Sequence, residues 1–110
     1  MNDDFGITEG WTGDLDFIMK VNGVARPWVQ GDTVTLILKT TDGRLIETGG
    51  NVSVVPDNPP GTVGVARYAP NPGDLKAMDS PLLARFKVVT AQRTVFFPNA
   101  AESRWKVYPP

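Results

Sequence analysis

The chain has 110 residues, 41% of them hydrophobic, and its 11 basic and 12 acidic residues give a formal net charge of -1. It contains no histidine and no cysteine, which excludes disulfides, thiolate metal sites and catalysis by a histidine-activated nucleophile. A single domain of this size buries about two-thirds of its unfolded surface, enough for one core. No field of one sign is expected to draw in nucleic acid or an anionic membrane. No apolar stretch approaches the roughly 20 residues of a membrane helix. No basic-then-apolar leader is visible at the start, so synthesis in the cytosol is expected.

Residues 1–13 (MNDDFGITEGWTG) show no sustained hydrophobic period and read as a flexible N-terminal arm. Phe5, Ile7 and Trp11 are large apolar residues for such a segment, suited to docking on the domain itself or on a neighbouring subunit. Residues 15–21 alternate as a first strand, with Leu15, Phe17, Met19 and Val21 on one face. Asn22-Gly23 is a tight-turn pair. Residues 24–30 form a short irregular strand that Pro27 confines to an edge.

The clearest strand is 33–40, with Val34, Leu36 and Leu38 inward. Asp42-Gly43 is a hairpin signal that returns the chain through 45–48. A strand over 51–55 ends at Pro56, and the prolines of 56–61 make a rigid loop. In the strand at 62–69, periodicity alone does not choose between the faces of Gly64, Ala66 and Tyr68 and of Val63, Val65 and Arg67. Asp74 is placed to cap a helical turn within the 70–81 crossover. Residues 82–89 then turn Leu82, Ala84, Phe86 and Val88 one way and Arg85 and Lys87 the other. Residues 94–97 pair back, sending Phe96 and Phe97 to opposite faces, and 103–108 sets Trp105 and Val107 inward.

Seven to eight short strands with frequent turns predict an antiparallel, immunoglobulin-like β-sandwich over residues 14–110, behind the arm at 1–13. A closed barrel is the alternative. Acidic residues gather early (Asp3, Asp4, Glu9, Asp14, Asp16) and basic ones late (Arg85, Lys87, Arg93, Arg104, Lys106). That asymmetry reads either as two solvated regions or as an acidic end fitted to a basic face of another copy.

Catalytic chemistry finds little footing. Ser53, Ser80 and Ser103 lack the surroundings of an activated nucleophile. Asp14 and Asp16 share a strand face only at its exposed start, and Asp32, Asp42, Asp57 and Asp74 occupy turns. There is no phosphate loop, dinucleotide fingerprint or calcium-loop series, so no cofactor or metal is expected. Trp11, Trp28, Trp105 and Tyr108 suggest either a sugar-stacking platform or, for Trp11 and Trp28, a protein interface.

The order of turns and strands carries a resemblance. Gly31-Asp32 leads into a strong strand, and the Asp42-Gly43 hairpin follows. Gly64-Val65 with Tyr68 comes next, then a crossover rich in proline and aspartate. Leu82, Ala84, Phe86 and Val88 follow, then Phe97-Pro98-Asn99, and finally Trp105 with Val107. Over residues 15–108 this resembles the N-terminal β-sandwich domain of the baseplate upper proteins of tailed bacteriophages. The resemblance implies a non-enzymatic structural component of a virion, docking on other virion proteins in capsid, neck or tail. The expected partners are therefore other virion proteins and further copies of the chain, in the virion and, during assembly, in the host cytoplasm. The expected interface residues are Phe5, Ile7, Trp11, Trp28 and Phe96. The rival reading is a carbohydrate-binding or host-surface adhesion module using Trp28, Tyr68 or Tyr108.

Overall fold

A computed structural model describes residues 5–59, 61–98 and 102–110. They form eleven strands: β1 Phe5–Thr8, β2 Leu15–Ile18, β3 Lys20–Val21, β4 Val24–Ala25, β5 Thr33–Lys39, β6 Leu45–Ile46, β7 Asn51–Val54, β8 Val65–Ala69, β9 Leu82–Val89, β10 Thr94–Phe97 and β11 Ser103–Tyr108. The only helical element among the described residues is a 3-10 turn over Ala77–Asp79.

A six-stranded sheet runs in the order β1-β11-β9-β5-β6, with β10 also paired to β9. β5 lies along one side of β9 over its whole length, from Thr33 beside Val89 to Lys39 beside Leu83. β10 and β11 share the other side, next to Phe86–Val89 and Leu82–Ala84 in turn. A second sheet, β2-β8-β7, is antiparallel throughout.

The two sheets share one core. Leu38, Leu82, Ala84, Val88 and Trp105 from the first sheet and Ala66 and Tyr68 from the second are at most 1% exposed. Phe17 of β2 stacks on Trp105 at 5.1 Å and 9° and meets Phe86 at 5.1 Å. Trp105 is the largest fully buried side chain. Burying roughly 150–250 Å² of ring contributes on the order of 4–6 kcal/mol, an upper bound by area.

Tertiary structure settles the face of 62–69: Ala66 and Tyr68 point in, because they lie opposite Phe17 and Leu15 on the core side of β2. The predicted strand over 15–21 is broken at Met19. The Met19 N–H donates to Gly64 O at 2.7 Å, while its carbonyl turns away to accept from Arg26 N–H at 2.8 Å. Met19 is therefore buried and Val21, beyond the break, is exposed. β3 and β4 become a separate hairpin around Asn22-Gly23, whose φ values of 52° and 79° fit a tight turn with both residues left-handed.

Three expectations are corrected. Residues 5–8 are not a flexible arm: β1 runs parallel to β11, Phe5 beside Trp105 and Thr8 beside Tyr108, and Glu9 N–H adds a bond to Tyr108 O at 2.8 Å. The large sheet is thereby mixed rather than antiparallel. Nor does Asp74 cap the short helix, whose N-cap is Lys76 with no side-chain bond. Its carboxylate instead accepts N–H bonds from Gly49 (2.8 Å), Gly50 (2.9 Å) and Asn71 (3.1 Å), and the Tyr68 hydroxyl donates to it at 2.9 Å. Burial works to raise the pKa of Asp74, but these donors outweigh it and hold the carboxyl below the ordinary range.

Candidate docking surfaces

β1 stands at the outer end of the large sheet. The turn after it brings Trp11 back over that edge, with Trp11 N–H donating to Thr8 O at 3.2 Å. The indole Nε1 donates to Gly13 O at 2.9 Å, which fixes the ring on the turn. Trp11 is still 48% exposed, beside a shallow cleft of about 230 Å³ lined by Gly6, Ile7, Thr8, Trp11 and Leu15. An edge strand beside a half-exposed tryptophan offers both backbone pairing and an apolar anchor.

The five expected interface residues do not form one surface. The backbone of Phe5 lies in β1, and its side chain is outside the described residues. Ile7 is 7% exposed and belongs to the core, so it anchors β1 rather than meeting a partner. Trp28 packs partly against the core, far along the chain from the β1 edge. Its indole Nε1 donates to Val65 O at 3.0 Å and its backbone N–H donates to Asp57 Oδ2 at 2.8 Å. Asp57 Oδ1 in turn accepts from Gly64 N–H at 3.0 Å. Trp28 thus pins its loop to the start of β8. Phe96 sits half-buried on the outer face of the large sheet, under the Arg85 guanidinium at 4.7 Å.

The β3–β4 hairpin presents a second apolar surface that periodicity did not single out. Val21, Val24 and Val29 are all exposed. A cleft of about 510 Å³ runs from Val21 and Val29 to Arg93 and Val95. Its Arg26 is committed to Asp32 at 2.9 Å and lies over Trp28 at 5.9 Å. The run of valines around Asn22-Gly23 was the available signal, masked by reading 15–21 as one regular strand.

Ser80, Asp14 and Asp16 have structural partners, whereas Tyr108 is 53% exposed. Ser80 Oγ accepts Val107 N–H at 3.0 Å. Asp14 and Asp16 flank Arg67, at 3.7 and 2.8 Å. Tyr68 and Trp105 are buried, so neither ring is available to stack on a sugar. Burial also pushes the Tyr68 phenol above its ordinary range, which keeps it a donor to Asp74. Among the described residues, no group of three or more histidine, cysteine or acidic residues is arranged to hold a metal. No helix among them is long and apolar enough to cross a membrane.

No protein-family model, no curated protein and no solved structure matches this chain.

Proposed function

We propose that the chain is a non-catalytic docking domain, a structural component of a tailed-phage virion that binds other virion proteins through the Trp11 edge. The two facing sheets are read as an immunoglobulin-like sandwich whose outermost strand, β1, is held parallel to β11. The observation that carries the docking reading is a half-exposed tryptophan fixed beside the unpaired side of an edge strand. Tryptophan concentrates binding energy at interfaces, and a free strand edge accepts a partner's backbone. The order of motifs from Gly31-Asp32 to Trp105 and Val107 supports the virion assignment.

Mass spectrometry of particles purified from the strain that encodes the chain tests this reading. The chain should be present in fixed stoichiometry with other virion proteins, and Trp11→Ala should lower its incorporation while leaving it folded. Particles that lack the chain, or incorporation indifferent to Trp11, would contradict it.

A further inference from the structure

The strands of the six-stranded sheet contain no acidic residue. They contain Lys39, Arg85, Lys87, Arg104 and Lys106, all on the face turned away from the core. Alternation decides this: Leu82, Ala84, Phe86 and Val88 of β9, Trp105 and Val107 of β11, and Val34 and Leu38 of β5 are the buried positions. Register then spreads the basic residues across that face, with uncharged residues between them. Thr35 lies beside Lys87, Ile37 beside Arg85, and Leu83 beside both Lys39 and Arg104. Phe96 lies next to Lys87 on the other side. Glu102 meets Lys39 at 2.6 Å. Among the described residues, Lys87, Arg104 and Lys106 have no ion-pair partner.

The chain as a whole is nearly neutral, so the rest of its surface is acidic. Residues 1–16 carry five acids and no base. Asp3 and Asp4 lie outside the described residues. Asp14 and Asp16 flank Leu15, which lines the Trp11 cleft, while the half-buried Glu9 carboxylate accepts Ala77 N–H at 2.7 Å. Arg67 answers Asp16, but the Asp14 side chain stays 57% exposed.

We propose that copies of this chain associate head to tail, with the acidic Trp11 edge of one copy docked on the basic outer sheet face of the next. This rests on the docking reading above and names its partner as a second copy. Ile37 and Phe96 supply an apolar seat for Trp11, and the surrounding charges set orientation and encounter rate. The two surfaces differ, so the contact is heterologous. It propagates into a ring or an open chain instead of closing as a twofold pair.

Sedimentation equilibrium of the full chain tests the contact, with two charge-reversed variants. One carries Lys87→Glu and Lys106→Glu on the face. The other carries Asp14→Lys and Asp16→Lys on the edge. Asp14→Lys alone, farther from Arg67, replaces the second if the pair fails to fold. Wild type should associate at low salt. Its dissociation constant should rise about tenfold or more once salt shortens the screening length from about 10 Å to about 3 Å. Each variant alone should be monomeric, and an equimolar mixture should associate again, because both contacts then pair opposite charges. Wild type that is monomeric at every salt, or association that neither variant alters, would overturn the proposal. So would a basic face that captures a single-stranded oligonucleotide while the chain stays monomeric. A monomeric chain still found in particles would reject this contact and leave the docking reading standing. A self-associating chain absent from particles would do the reverse.

Discussion

The hydroxyl of Tyr68 donates to Asp74 Oδ2 at 2.9 Å, and neither residue is more than 6% exposed. Through Asp74 the bond joins the end of β8 to the Gly49-Gly50 turn that starts β7. Asp74→Ala strands three backbone donors and a phenol, and should cost about 2–4 kcal/mol in urea denaturation. Tyr68→Phe removes one donor from a carboxylate with other partners, and should cost about 1–2 kcal/mol.

The same carboxylate makes stability depend on pH. Its folded pKa lies below the ordinary 3.8. A depressed folded value means that the contribution is complete above the unfolded pKa and is lost as pH falls through the folded one. Wild-type stability should therefore decline below about pH 4. Asp74→Asn should flatten part of that decline. Asp16, Asp32, Asp42 and Glu102, shifted the same way, contribute to the rest of the decline. Denaturant midpoints measured across the acid range check this.

β1 should behave as part of the fold. Ile7 joins the core at 7% exposure, and the parallel pairing with β11 covers one side of Trp105 and Val107. Ile7→Ala should cost about 2–3 kcal/mol. Deleting residues 1–9 should lower the thermal midpoint rather than leave the domain unaffected, as a free arm would. Calorimetry separates the two outcomes.

Gly64 has φ +69°, and a Cβ there would meet Arg26 O at 2.6 Å. Gly64→Ala should destabilise by about 2–4 kcal/mol. Because Gly64 N–H and Trp28 N–H share Asp57, the substitution should also shift tryptophan fluorescence. An unchanged spectrum and midpoint would show that the loop adapts freely.

Much of the large sheet was legible because one face of each long strand is buried. The alternation at Thr33–Lys39, Leu82–Val89 and Ser103–Tyr108 reports that burial directly. Phe96 and Phe97 separate as read, Phe97 buried and Phe96 only in part. β1 was not legible. Gly6 and the flanking acids carry no period, and the strand exists only through a partner about a hundred residues away. Asp74 looked like a local cap because the sequence cannot display its distant donors at Gly49 and Gly50. The candidate docking surfaces were half legible. Trp11 stood out by residue type, whereas Ile7 and Trp28, chosen on the same ground, are held by the fold.

Trp11 and Trp28 should separate binding from stability. Trp11→Ala removes a half-exposed ring and should change the denaturation midpoint little. Trp28→Ala removes ring packing and the bond to Val65 O, and should cost about 3 kcal/mol. Paired unfolding curves decide this, and equal losses would mean that Trp11 is structural.

Electron cryo-microscopy of intact particles from the encoding strain decides whether the Trp11 edge docks in a virion. Density for this two-sheet domain is expected at repeated positions, with the Trp11 edge buried against a neighbouring subunit. Particles without such density, or a domain whose Trp11 edge faces solvent at every position, would contradict this docking.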